Sequence, residues 1–244
     1  MNSIKTWLIE IVSLVALLLG GCAVHPRIVL LEPHDRKEAF EELLRISAQL
    51  ERFSANATFE LSSSSGNFQF KGHLDLVLAG SSRIEIVGPL GVKVAELQMD
   101  SDMCRLDLPH LGQSITVSNE EELMLPQLGL PLPGAGLLLT WLWPLPSLES
   151  ESYWTFAPTP KDSSNQIRLQ HRDPLIADSL IIRYRTQPFQ PIGEERWRNC
   201  RWWFSREFAW SERLGYLPTN VTIEYDKLKL KVRYTSVNAY WKTK

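Results

Sequence analysis

Apolar and polar residues alternate with a period of two along most of the chain from Ser54 onward. That spacing marks strands with one dry face and one solvated face. SANATFEL (54–61), NFQFKGHLDLVL (67–78) and SRIEIVGP (82–89) open the series, with Phe68, Phe70, Leu74, Leu76 and Leu78 in one phase. Residues 92–99, 103–108 and 113–117 continue it, and the pattern returns at 153–156, 166–171, 179–186 and 199–210. The last pair, TNVTIEY and KLKLKVRY joined at Asp226–Lys227, carries Lys or Arg at every other place of its second half and reads as a hairpin. Few helices intervene, so neighbouring strands are expected to pair antiparallel.

Helical spacing occurs in two places. Residues 35–53 set Phe40, Leu43, Leu44, Ser47 and Leu50 on one face, and Asp35 followed by Glu38 makes a capping-box-like start. Residues 134–143 are almost wholly apolar and stop at Pro144. A helix with so little polar surface is buried. Asn119 followed by Glu122 is expected to cap a further short helix. The fold class is therefore mainly β (α+β): a curved antiparallel half-barrel sheet with a few helices covering or plugging its concave side. No repeat, low-complexity tract or domain-scale linker interrupts residues 34–244, which read as a single domain.

Composition changes this picture only at the start of the chain. With 244 residues, 44% hydrophobic, 22% charged and a formal net charge of −2, the chain carries no electrostatic footprint for nucleic acid. Residues 1–21 place Lys5 ahead of an apolar run at 11–19 and end in small residues, the layout of an export signal. The run is too short to span a bilayer, which takes about 20 apolar residues. LGGC (19–22) matches the lipobox of bacterial lipoproteins, making Cys22 the lipidation site and residues 22–33 a tether. The alternative is an ordinary signal peptide with a cysteine there by chance. Ala23 stands where inner-membrane retention calls for Asp, so the lipobox reading implies a lipid anchor in the outer membrane, on its periplasmic face. Of the three cysteines, Cys104 and Cys200 then remain; a disulfide or two buried thiols are both open readings.

No catalytic constellation assembles. His25, His34, His73, His110 and His171 lack metal-ligand spacing. There is no Gly-x-Ser-x-Gly elbow and no phosphate-binding glycine loop. HRDP (171–174) imitates a kinase catalytic-loop fragment without its companions. The expectation is a protein that is not an enzyme and takes no metal or cofactor, although a hydrolase with a dispersed triad is a third possible class.

One turn is out of character. In VGPLGVKVAEL (87–97), Leu90 stands between Pro89 and Gly91, where turns ordinarily place Asp, Asn, Ser or Gly. RIEIVGPLGVKVAEL, EEELMLPQLGLPLPGAGLLLTWLWPLP and LPTNVTIEYDKLKLKVRY, in that order, resemble the LolB family of outer-membrane lipoprotein receptors. The resemblance implies a LolA/LolB fold and acceptance of acylated lipoproteins from a LolA-like periplasmic carrier by a monomeric receptor. It also implies that Pro89, Leu90 and Gly91 form a membrane-insertion loop; the alternative is that Leu90 folds back onto the core. A carrier of this kind must replace bilayer with an apolar hollow, because some 45 methylenes at about 0.8 kcal/mol each are costly to expose to water. Strand phase and the apolar helix nominate Phe59, Phe68, Phe70, Ile84, Ile86, Leu97, Leu138 and Trp141 as the acyl-cavity lining, though the same phase fits ordinary core packing. Residues 162–214, with RWRNCRWWFSREF, are longer and richer in Trp than the family pattern, as in a divergent member. A second functional class follows from them: a lipid-anchored binding or scaffold protein touching an envelope partner near residues 196–206.

Overall fold

The structure, a computed structural model, describes residues 33–242 apart from 79, 120, 122, 126–129, 133, 147, 149–152, 159–164, 174–177, 200 and 212–216. The stretch read as a signal peptide (1–21), Cys22, nearly all of the stretch read as a tether (22–33) and Cys200 lie outside the described residues. Two helices are present among those described, α1 (Arg36–Gln49) and α2 (Ala135–Leu142). The strands are β1 (Leu50–Ser63), β2 (Gly66–Val77), β3 (Ser82–Val87), β4 (Lys93–Met99), β5 (Met103–Leu108), β6 (Gln113–Ser118), β7 (Leu123–Leu125) and β8 (Leu130–Leu132). They continue with β9 (Trp154–Phe156), β10 (Gln166–His171), β11 (Asp178–Thr186), β12 (Phe189–Arg198), β13 (Arg201–Trp210), β14 (Pro218–Tyr225) and β15 (Leu228–Trp241).

Thirteen of these form one open, curved antiparallel sheet in the order β6-β5-β4-β3-β2-β1-β15-β14-β13-β12-β11-β10-β9; β7 and β8 pair separately. The first and last strands meet at its middle. Their register sets Phe59 opposite Val232 and Leu61 opposite Leu230, so apolar residues face the same side on both. Antiparallel neighbours joined by short turns solve most of the topology locally; only the β1–β15 seam brings distant residues together.

The helices lie against the dry face. Asp35 caps α1 by accepting the Lys37 and Glu38 amides at 2.8 and 2.9 Å, while the Glu38 carboxylate accepts the His34 amide at 2.7 Å. Ala39, Phe40, Leu43 and Ile46 are its buried apolar residues, and Phe40 meets Phe156 of β9 edge-on at 5.6 Å. The helix ends at Gln49 rather than running to residue 53 as the periodicity suggested. From Leu50 the backbone is claimed by pairing with β15 and then β2, which overrides the helical pattern. The short helix expected after Asn119 is replaced by β7 paired with β8, and Asn119 instead donates its side-chain amide to the Asp100 carbonyl at 2.8 Å. The alternation pattern also passed over β12. Pro191 and Gly193 punctuate it, and the structure accommodates Pro191 at a bulge beside Tyr184.

α2 is fixed by a fully buried arginine. The last turn of a helix leaves carbonyls without intrahelical partners. Arg206, reaching in from β13, donates Nη1 to the carbonyls of Thr140, Trp141 and Trp143, and Nη2 to that of Leu145 at 3.1 Å. Tyr234 Oη donates to the Leu142 carbonyl at 3.2 Å. The arginine's charge is met by Glu194 of β12, also fully buried, which accepts Arg196 Nε at 2.8 Å as well. Burial alone would raise the Glu194 carboxyl, but the Arg206 and Arg196 charges outweigh it and hold it below the ordinary carboxylate value. Removing one member of a buried pair strands the other. Arg206→Met is therefore expected to lower unfolding free energy by about 3–5 kcal/mol, read as a drop in urea midpoint.

Candidate functional site

Between α2 and the inner face of β1–β5 lies an apolar cavity of about 540 Å³, closed on one side by Leu228 and Leu230 of β15. That volume falls within the range of about 300–1,000 Å³ typical of small-molecule sites. The eight residues nominated from strand phase and the apolar helix all stand around it. Phe59 of β1 with Phe68 and Phe70 of β2 form one wall, Ile84, Ile86 and Leu97 of β3 and β4 the next, and Leu138 and Trp141 of α2 the roof. Phe59 and Phe70 stack at 5.1 Å, and a Cβ on neighbouring Gly72 would stand 2.2 Å from the Glu85 carbonyl oxygen and 3.1 Å from the Phe59 ring. Trp141, fully buried, is backed by Phe204 at 5.7 Å and Tyr225 at 4.9 Å.

Sequence reasoning missed part of the lining. Leu61 shares the phase of Phe59 and was legible; Leu106 and Leu108 of β5 likewise. Leu228 and Leu230 become lining only through the β1–β15 register, which no local pattern reports. Val94 is the least expected. The β3–β4 register shifts at Ile86/Val87, so Val94 is an extra residue that lines the cavity beside Ala95.

The same bulge sets the base of the Leu90 turn. Gly88 donates its amide to the Val92 carbonyl at 2.8 Å, closing a tight turn over Pro89, Leu90 and Gly91. Leu90 has φ 64 and ψ 15, the left-handed region that side chains other than glycine's rarely adopt, and it is 100% exposed. The alternative in which Leu90 folds back onto the core does not hold. Val92, 60% exposed, and Leu111 of the adjoining 109–111 turn, 46% exposed, extend the apolar tip. His110 ties the two turns by a 3.0 Å contact between Nδ1 and the Val94 carbonyl. Strand registers bring the turns at 64–65, 88–92, 109–112 and 226–227 to one end of the sheet. Phe68, Val94, His110 and Leu228 place one end of the cavity there.

On the outer face, charges brace this loop. Glu96 is met by Lys93 and by Arg83 Nε at 2.5 Å, and accepts Gln98 Nε2 at 2.6 Å. Burial pushes its carboxyl up, but these three donors and the Arg83 charge prevail and lower it to about 2. In the HRDP stretch, Arg172 donates to the Trp154 carbonyl at 3.2 Å and His171 Nδ1 accepts the Asp173 amide at 3.1 Å. Cys104 is a buried free thiol on β5, pushed up to about 11 by burial and by Asp100, so its reactive thiolate is suppressed. Among the described residues no group of three or more His, Cys, Asp or Glu is placed to hold a metal ion.

A family model described as outer membrane lipoprotein LolB matches residues 51–176, more than half of the chain. The chain belongs to the LolB family. The matched span holds most of the cavity wall, α2 and the Leu90 turn, and stops short of β11. No curated protein matches the chain. Among solved structures, a domain described as outer-membrane lipoprotein-sorting from Vibrio parahaemolyticus superposes with a TM-score of 0.55 at 12% identity, covering 83% of this chain and 91% of that one. A LolA superfamily protein from Nitrosomonas europaea gives 0.51 at 12% identity over 78% and 86% of the two chains. A DUF1329 family protein from Desulfovibrio piger gives 0.57 at 9% identity over 83% and 92%. At these identities the likeness is one of fold.

A carboxyl lowered by folding contributes stability that is complete above its unfolded value, about 4.3, and is lost as pH falls toward the folded value. Unfolding free energy is expected to decline between about pH 4.5 and pH 2, and a Glu96→Gln variant to show a shallower decline. Because Arg83 and Lys93 are partly exposed, the difference is on the order of 1–3 kcal/mol. Urea titrations at several pH values measure it.

Proposed function

We propose that this LolB family member accepts acylated lipoproteins from a LolA-like periplasmic carrier and passes them into the outer membrane. The single observation that carries the reading is the unfilled apolar volume of about 540 Å³ with one end beside the exposed Leu90 turn. In this reading residues 1–21 are removed, Cys22 carries the lipid anchor and residues 22–33 tether the domain. Each methylene taken from water contributes about 0.8 kcal/mol, so an acyl chain of about 16 carbons gains on the order of 12 kcal/mol inside a dry hollow. Burial of that kind has almost no directionality, which suits cargos that share only their lipid. The lining is apolar apart from Asn67, Gln69 and His110, and the reading needs no catalysis.

Delivery requires the hollow to be brought against the bilayer. One leucine contributes only about 0.3–0.6 kcal/mol of insertion preference, far too little to anchor the protein but enough to orient its tip. The left-handed backbone at Leu90 costs about 1–2 kcal/mol, and the fully exposed side chain has no packing to offset it. Strain kept without a packing return is the signature of a position held for function.

Two experiments separate the parts of this reading. Leu90→Glu is expected to fold and accept acylated peptide but to transfer little of it to liposomes, whereas Leu90→Gly should raise stability by about 1 kcal/mol while losing transfer. Normal transfer by both variants would refute the role of the tip. Ile84→Trp fills the cavity from β3, and is expected to weaken displacement of an apolar fluorescent probe by acylated peptide at least tenfold. Unchanged displacement would refute the cavity as the acyl site.

A further inference from the structure

Leu138, Trp141 and Leu142 of α2 face the apolar cavity, while Leu137 and Thr140 line a second one of about 390 Å³. The second cavity is built of different chemistry. Indole rings of Trp154, Trp197 and Trp203 make its flat walls, and the guanidiniums of Arg196 and Arg198 stand among them. Arg198 lies over the Trp203 ring with its carbon 4.3 Å from the centroid. Its Nε is 3.6 Å from Asp178, beyond hydrogen-bond range, so the fork retains donors for another acceptor. His171 lines the same cavity, and because its Nδ1 accepts the Asp173 amide its ring proton sits on Nε2. Trp154, 7% exposed, and Trp197 each bury an indole N–H that has no acceptor among the described residues. Unpaired buried donors call for an explanation, and an acceptor-bearing ligand pressed against these edges supplies one.

We propose that this cavity binds an acidic saccharide, a sugar ring bearing phosphate or carboxylate. Indole faces receive the apolar C–H face of a sugar ring, and guanidinium forks match the planar or trigonal oxygens of the acid. Asp178 and the hydroxyl of Ser179 supply acceptors that sugar hydroxyls require, which an aromatic acid of the same size would leave unused. Asp178, Ser179, Arg196, Trp197, Arg198 and Trp203 lie beyond the family match at 51–176, whereas Leu137, Thr140, Trp154 and His171 fall inside it, so both arginines come from a strand that follows the matched span. The β13–β14 and β14–β15 registers bring this cavity to the same end of the sheet as the Leu90 turn. That placement favours the headgroup of a membrane glycolipid over a free sugar as the source. This last step rests on the proposed membrane role of Leu90; the site itself does not.

The test uses the full chain. Calorimetric titration with glucuronate and glucosamine 6-phosphate is expected to show binding, with N-acetylglucosamine and inorganic phosphate at least tenfold weaker. Arg198→Glu, at a half-exposed position, and Trp197→Leu are expected to weaken the acidic sugars at least tenfold while leaving apolar-probe binding in the first cavity unchanged. In flotation with phosphatidylcholine vesicles, added glucuronosyl diacylglycerol should raise recovery of Leu90→Glu protein but not of Arg198→Glu protein, which assigns the membrane source; soluble binding without flotation assigns a free sugar. No binding of either acidic sugar, equal binding of the neutral sugar or of phosphate, or insensitivity to both variants would overturn the proposal. Loss of apolar-probe binding in these variants would show a folding defect, and Trp197→Phe, which keeps a ring but removes the indole N–H, would then decide: weaker acidic-sugar binding by a protein that still takes the apolar probe supports the site, and unaltered affinity overturns it.

Discussion

The dry face of the sheet governs this molecule. A 13-stranded antiparallel sheet turns alternate residues of every strand inward, and apolar surface left in water costs about 25 cal/mol per Å². α1 covers the region around β9 and β10, where Phe40 meets Phe156. α2 stands over the middle, and what keeps it there is electrostatic rather than apolar. Arg206 gathers carbonyls from Thr140, Trp141, Trp143 and Leu145, so the helix cannot slide toward β3 and β4 without stripping a buried guanidinium of its partners. The hollow under Leu138 and Trp141 is thus a consequence of where the helix is pinned. A wholly apolar helix held only by contact would be free to settle into it.

Hollow and tip are parts of one pair of strands. β3 and β4 contribute Ile84, Ile86, Ala95 and Leu97 to the lining and continue directly into the 88–92 turn. The Val94 bulge lets one strand serve both purposes, for it turns an extra residue inward while Lys93 remains outside to meet Glu96 and Glu85. The opposed carboxylates of Glu85 and Glu96 would repel across the strand pair if Arg83 and Lys93 did not sit between them. That cluster stiffens the base from which Leu90 projects, so the strained backbone above it is held rather than relaxed.

Much of this was legible in the sequence because two-residue alternation reports which side of a strand is dry. Phe59, Phe68, Phe70, Ile84, Ile86 and Leu97 could be placed on one surface without knowing any strand order. Leu138 and Trp141 followed from a helix too apolar to be exposed. Long-range facts were hidden. Leu228 and Leu230 look like any hairpin residues until β15 pairs with β1, and Arg206 reads as one arginine in a basic run, since most of its partners are carbonyls more than 60 residues away. β12 was missed because Pro191 and Gly193 are read as breakers, whereas a bulge absorbs the proline. The end of α1 was misplaced for a related reason: helical spacing ran on into residues that pair more favourably as strand.

The two faces of α2 explain why an Arg- and Trp-rich segment can lie beside an acyl-type hollow without spoiling it. Guanidinium or carboxylate groups inside an apolar cavity would be penalised heavily unless paired. Here the charged groups described near the helix are kept to the far side: Arg196 and Arg206 share the Glu194 carboxylate, and Arg198 lies flat on Trp203. Trp141 seals the divide, its ring pressed between the hollow and the aromatic layer of Phe204 and Tyr225, with Trp203 behind that layer at 6.2 Å from each. The aromatic layer is therefore more than bulk. It lets β11–β13 carry charge and polar recognition on the same sheet whose other half, β1–β5, must stay hydrocarbon-like, and it does so across the thickness of a single helix.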